Sequence, residues 1–167
     1  YFDNGYILFI GISFLFVGFI DLIHTLAYKG MGVYPGYNSD LPTQLWIAAR
    51  WLQALAFFAA TFFLDRKLNR PLVVLAGGAV LSALLLLSIF YWNIFPSCFV
   101  EGTGLTPFKI ASEYGISLIL LISIVPLTKK KDKLHPRVRQ LIIASILSTV
   151  ASEMSFTLYT DAYGFFN

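Results

Sequence analysis

Charge is scarce in this chain. Lys, Arg, Asp and Glu make up 13% of its 167 residues, against about a quarter in an ordinary soluble domain. The apolar stretch from Leu72 to Asn93 carries no charged residue at all. This shortage excludes a soluble globular domain. Cysteine is nearly missing as well. Cys98 stands alone, so neither an intrachain disulfide nor a cysteine metal cluster can form. Histidine occurs only as His24 and His135. They fall near opposite ends of the spans derived below, which argues against a haem held by two axial imidazoles. No HExxH metal motif is present, and no nucleophile motif frames any serine. Internal repeats, low-complexity tracts and the basic flank and cleavage site of a signal peptide are missing too.

What remains is apolar. Hydrophobic residues make up 57% of the chain, and the mean hydropathy is +0.74. Several uncharged runs approach the roughly 20 residues that cross a bilayer. The fold class implied is all-α: a polytopic transmembrane helical bundle filling one domain over 1–167. About five spans are expected, near 5–28, 43–64, 72–93, 108–127 and 138–158. The net charge of +3 is concentrated in DRKLNR and TKKKDKLHPRVR. Such clustering points to membrane topology rather than nucleic-acid binding. It places both loops in the cytoplasm, the N-terminus inside and the C-terminus outside, with multi-pass insertion in the plasma membrane. Anionic lipid would attract both loops. Cys98 then falls in an extracytoplasmic loop, and that loop is apolar enough to fold back on the bundle mouth.

Smaller features complete the reading. Gly11 and Gly18 share roughly one face of the first span, a pattern that permits close approach of a neighbouring helix. Thr43 reads as the cap of the second span and Pro107 as the opening of the fourth. Tyr34, Tyr37, Trp46, Trp51 and Trp92 suit an interfacial aromatic belt. His135, before Pro136 in a wet basic loop, is structurally ordinary.

Mapping the ionisable residues onto these spans gives a layer. Asp21, His24, Arg50, Glu113, Glu153 and Asp161 all fall in the outer half, while the cytoplasmic half is nearly free of charge. Ionisable groups inside spans usually face the bundle interior, a cavity or a partner. Asp21 and His24 share a helical face. They form either a simple hydrogen-bonded pair or a ligand or proton site. Arg50 lies about eight residues inside its span, roughly 12 Å. It either pairs with Glu113 or Glu153, snorkels outward, or binds an anionic ligand. The third span offers it no counter-charge. His24, Asp21 and Glu153 are the candidates for a metal. The identity of any cofactor is unknown from the sequence.

Longer blocks carry a resemblance. FVGFIDLIHTLAYKGMGVYPGYNSDLPTQLWIAARWLQAL, CFVEGTGLTPFKIASEYGI and SEMSFTLYTDAYGFFN together resemble the third type of membrane-associated sensor domain. The matching residues include Asp21, His24, Thr25, Lys29, Gly30, Pro42, Gln44, Trp46, Arg50, Glu101, Gly102, Pro107, Lys109, Glu113, Glu153, Tyr159 and Asp161. Trp51 stands where relatives are expected to have tyrosine. The resemblance implies a sensory module ahead of a bacterial or archaeal histidine kinase or diguanylate cyclase. It implies further helices after Asn167 and no catalysis within these residues. Its implied partners are membrane lipids, a cytoplasmic output domain of the same polypeptide, an unknown small molecule or ion, and a second copy in a homodimer. The alternative from another class is a membrane enzyme, or a metal- or cofactor-binding module, built on Asp21, His24 and Glu153.

Overall fold

Proline opens three of the helices, where its missing N–H costs nothing and its fixed φ suits the first turn. The computed structural model describes residues 4–157. It contains α1 (Gly5–Ala27), α2 (Asp40–Ala60), α3 (Pro71–Phe90), α4 (Pro107–Lys129) and α5 (Pro136–Thr157). Asn4 caps α1, its Oδ1 accepting from the N–H groups of Tyr6 at 3.0 Å and Ile7 at 3.3 Å. Thr106 caps α4 by accepting from Lys109 N–H at 3.3 Å. Two limits expected from sequence move. Asp40 begins α2, so Thr43 lies one turn inside and donates back to the Ser39 carbonyl at 2.7 Å. Pro126 does not end α4, which runs on to Lys129. One lost N–H near a helix end is tolerated there.

The helices lie side by side in the order α3, α1, α2, α4, α5. α2 is the inner member: 61% of its most apolar stretch is buried, against 11% for α3. Ile47, Ala48, Ala49, Ala54 and Ala60 of α2 are fully buried. The small alanine side chains among them let α1 and α4 pack closely on either side. Large apolar residues such as Leu15, Phe62, Leu72 and Leu118 point outward, as a lipid-facing surface requires. By length and composition α1, α2 with its 3₁₀ extension to Phe63, α3 and α4 are each able to cross a bilayer. α5 is a long helix whose Arg137, Arg139, Glu153 and serines dilute its apolar character. The architecture is an all-α bundle of four to five long apolar helices, consistent with a polytopic membrane domain.

The glycine expectation is corrected. Among the described residues a methyl group at Gly11 or Gly18 would meet nothing within 4 Å, so neither marks a close helix contact there. The close approach is at Gly5 instead, where the chain segment between α2 and α3 passes. A Cβ there would lie 2.2 Å from the Arg66 carbonyl oxygen and 3.0 Å from the Leu68 nitrogen, both backbone atoms. Gly5→Ala is expected to cost about 1–3 kcal/mol through forced backbone movement. Gly11→Ala and Gly18→Ala are expected to be neutral, or stabilising by up to about 1 kcal/mol, through helix propensity. Reversible unfolding of the three variants in detergent checks the contrast.

The two basic loops meet at one end of the bundle. Asp65 pairs with Lys130, and with Lys133 at 3.3 Å, while Asn4 donates to the Lys133 carbonyl at 3.0 Å. The Lys130 hydrogen bond is the main reason the exposed Asp65 carboxyl is held below its ordinary 3.8, with Lys133 assisting against a small burial effect. Linkage gives the sign: this contribution is present above pH 3.8 and is lost as pH falls through the depressed value. At the other end, Tyr34, Tyr37 and Phe90 pack together. A short antiparallel hairpin, Phe99–Val100 with Gly104–Leu105, lies in the loop before α4. Gly102 and Gly104 adopt φ of 86° and 88° there, a region open mainly to glycine.

Candidate functional site

Arg50 lies ten residues past the start of α2, and its long stem carries the guanidinium across to α1. One terminal nitrogen donates to both oxygens of Asp21, at 2.6 and 2.5 Å. The other donates to Gln53 Oε1 at 2.5 Å. Gln53 Nε2 in turn reaches Thr149 Oγ1 of α5 at 3.4 Å. The guanidinium also lies 4.7 Å from the centre of the Trp46 ring, a cation–π arrangement. The expected pairing of Arg50 with Glu113 or Glu153 is therefore corrected: its ion-pair partner is Asp21. Sequence spacing showed that Arg50 and Gln53 share a face but not which neighbour that face meets. Helix rotation decided it, aiming Arg50 at α1.

His24 also departs from expectation. Its Nδ1 lies 2.8 Å from the Pro42 carbonyl oxygen, where it donates, rather than on Asp21. The imidazole rests 5.4 Å from Trp46, tilted at 55°. An Asp–His dyad is thus not assembled, because Arg50 holds the carboxylate. Trp46, expected at the lipid interface, instead packs inward against His24, Arg50 and Phe156. Trp51 likewise presses on α4: a Cβ on Gly115 would come within 3.2 Å of it.

A second cluster joins α4 to α5. Lys109 and Glu113, four residues apart, form a buried ion pair. Lys109 Nζ also lies 5.8 Å from the Phe156 ring centre. Phe156 touches Trp46 edge-on at 5.3 Å, so the two clusters adjoin. Glu113 and Glu153 are both 0% exposed. Glu153 feels the charges of Glu113, Arg50 and Lys109, and the Trp46 indole N–H lies near it outside hydrogen-bonding geometry. Both oxygens of Glu153, Oε2 of Glu113, Ser117 Oγ, Trp46 Nε1 and Arg50 Nε are buried without a hydrogen-bond partner. Native structures rarely leave such groups unmatched. A buried layer with this many open valences is suited to hold small polar species. Asp161 lies outside the described residues.

Above this layer sits a residue the sequence reading overlooked. Asp40, in the first turn of α2, accepts from the backbone N–H groups of Cys98 at 2.7 Å and Phe99 at 2.8 Å. Its second oxygen accepts from Ser97 Oγ at 2.5 Å. Gln44 donates to the carbonyls of Phe95 and Pro96. The 91–106 loop is thereby fastened over the bundle end, as its apolar composition suggested. Cys98 is 0% exposed. Burial, seconded by the Asp40 charge, pushes its thiol up to about 12. Lys109 entered the sequence reading only among the residues that carry the family resemblance, although its spacing of four from Glu113 was a signal for the pair. Asp40 carried no comparable signal, because its partners are backbone groups more than fifty residues away.

Among the described residues no group of three His, Cys, Asp or Glu side chains is placed to hold a metal ion. Asp21, His24 and Glu153 each lie in the layer, the first two engaged by Arg50 and by the Pro42 carbonyl. The chemistry on offer is charge recognition and repacking: two clamps, Asp21–Arg50 and Lys109–Glu113, beside Glu153, a carboxylate with neither an ion-pair nor a hydrogen-bond partner among the described residues. No curated protein and no solved structure matches the chain. A family model described as a membrane-associated sensor domain, MASE3, matches residues 1–167. With that match over its whole length, the chain belongs to the MASE3 family of membrane-associated sensor domains.

Proposed function

We propose that this domain is the input module of a longer signalling polypeptide. A stimulus at the extracytoplasmic or intramembrane polar layer would alter helix packing. A downstream helix would carry that change to a cytoplasmic histidine kinase or diguanylate cyclase. The observation that carries this reading is the way α2 ties the layer together. Arg50 grips α1 through Asp21 and reaches α5 through Gln53, while Trp46 meets the α4–α5 cluster through Phe156. A change at any member biases the packing of several helices, which is what a two-state switch needs. Membrane lipid, a second copy of the chain and a small molecule or ion are the partners that fit this role. The membrane-enzyme alternative draws no support from the geometry, since Asp21 and His24 are held apart in separate interactions.

Orientation is part of the proposal. The basic loops at one end of the bundle face the cytoplasm, and the capped 91–106 loop faces outward. Cys98 is a poor reporter of this because it is buried. In a Cys98→Ser background, cysteine placed at exposed Glu101 should react with a membrane-impermeant maleimide in intact cells, and cysteine at exposed Lys67 only after lysis. The reverse pattern would invert the topology. The sensory role is tested by output: kinase or cyclase activity of the longer polypeptide in membrane vesicles should change in Arg50→Lys, and the 167-residue chain alone should show neither activity. Autophosphorylation or cyclic-dinucleotide synthesis by the isolated chain would contradict it.

A further inference from the structure

We infer that Glu153 is the binding point for one monovalent cation from the medium, a proton or an alkali-metal ion, beside Glu113. The inference rests on the sensory reading above only for its physiological meaning; the binding stands or falls separately.

Arg50 is matched by Asp21 and Lys109 by Glu113. Glu153, 0% exposed, has no ion-pair partner among the described residues, and neither of its oxygens accepts a hydrogen bond. The groups that face it are Arg50 and Trp46 of α2 and Glu113 and Lys109 of α4. The two cations are already committed, and Glu113 adds like charge. The faces that would have attracted an organic cation are taken, because Arg50 covers the Trp46 ring and Lys109 approaches that of Phe156. An isolated carboxylate removed from water is costly unless something neutralises it. The layer therefore asks for one further positive charge, small enough to enter a packed bundle.

The open valences suit such an occupant. Glu153 offers two free oxygens, Glu113 offers Oε2, and Ser117 Oγ lies one turn along α4 from Glu113. All are hard oxygen donors, the type that binds hard cations. A proton needs only one of them. An alkali ion would draw on several, with water completing its shell. Either would remove the repulsion between Glu113 and Glu153 and let α4 and α5 close. Loss of the cation would drive them apart. That makes this carboxylate pair a two-position element of the kind a sensor requires.

The test uses the 167-residue chain in nanodiscs. Thermal unfolding and tryptophan fluorescence are followed in one arm as NaCl replaces choline chloride at fixed pH. A second arm varies pH in sodium-free buffer, with infrared detection of a protonated carboxyl band. A saturable response to sodium but not choline identifies an alkali ion. A carboxyl band present in wild type and missing in Glu153→Gln identifies a proton. Either result supports the site, provided Glu153→Gln abolishes it and Ser145→Ala, at an exposed position of α5, does not. A wild type with no sodium response and no protonated carboxyl overturns the proposal without reliance on any variant. A response that survives in Glu153→Gln overturns it too. If the cation binds but output of the longer polypeptide ignores it, the site stands and the sensory reading fails.

Discussion

Arg50→Ala is expected to lower stability by about 1–3 kcal/mol. Breaking a buried ion pair costs more when the surviving partner is fully desolvated. Here the Arg50 side chain is 11% exposed, but Asp21 is 36% exposed, so water screens part of the loss. Three effects add: the abandoned carboxylate, the lost bond to Gln53 and the lost contact over Trp46. Lysine should rescue poorly, because one ammonium cannot replace a planar fork that spans Asp21 and Gln53. Asp21→Asn should cost about as much as Arg50→Ala: it strands the more buried member of the pair, while the new amide oxygen still accepts from the guanidinium. A double-mutant cycle measured by reversible unfolding in nanodiscs separates the partners. Arg50→Ala with Asp21→Asn should show clear coupling, about 1 kcal/mol or more. Arg50→Ala with Glu113→Gln should show much less. Equal coupling in the two cycles would contradict the Asp21 clamp.

The second large effect is expected at Asp40. Its carboxylate holds two backbone N–H groups and a hydroxyl of the 97–99 segment. Hydrogen bonds to a charged acceptor contribute about 1.5–3 kcal/mol each when removal leaves buried donors unmatched. Allowing for water that reaches the exposed Ser97, Asp40→Ala should open the loop by about 2–4 kcal/mol. At roughly tenfold per 1.4 kcal/mol, the open population rises about 30-fold or more. Cys98 reports this directly. In the wild type it is buried and its thiol is pushed up to about 12, so maleimide labelling at neutral pH should be slow. In Asp40→Ala the rate should rise by about the same factor as the open population. Asp40→Asn, which retains one acceptor oxygen, should fall between. An unchanged labelling rate in Asp40→Ala would show that the loop is held by something else.

The contrast between these two sites explains what could be seen in the sequence. Five long helices, and a polar layer shared between them, followed from charge scarcity and from where the few charges fall. Helical spacing put Arg50 with Gln53, and positive-charge clustering brought DRKLNR and TKKKDKLHPRVR to one end. What spacing cannot supply is the rotation of one helix against another. The Arg50 partner was therefore missed, and Trp46 was read as a lipid anchor when it is the contact between two clusters. Gly11 and Gly18 misled for the same reason: among the described residues nothing packs on their face, whereas Gly5 and Gly115 turn toward backbone and Trp51. Asp40 was illegible for a different reason. Its function is to satisfy backbone groups of a distant loop, and such partners leave no side-chain pattern to match.

The most direct measurement is the output, in sealed membrane vesicles, of the signalling polypeptide proposed above to contain this domain. Wild type would be compared with Glu153→Gln, Arg50→Lys and the lipid-facing control Leu118→Ala. If the buried layer is the sensory element, Glu153→Gln and Arg50→Lys should hold the output in fixed states that no longer follow the external medium, while Leu118→Ala should respond as wild type does. Wild-type responses in both layer variants, with the protein folded and inserted, would contradict the assignment of this layer as the sensor.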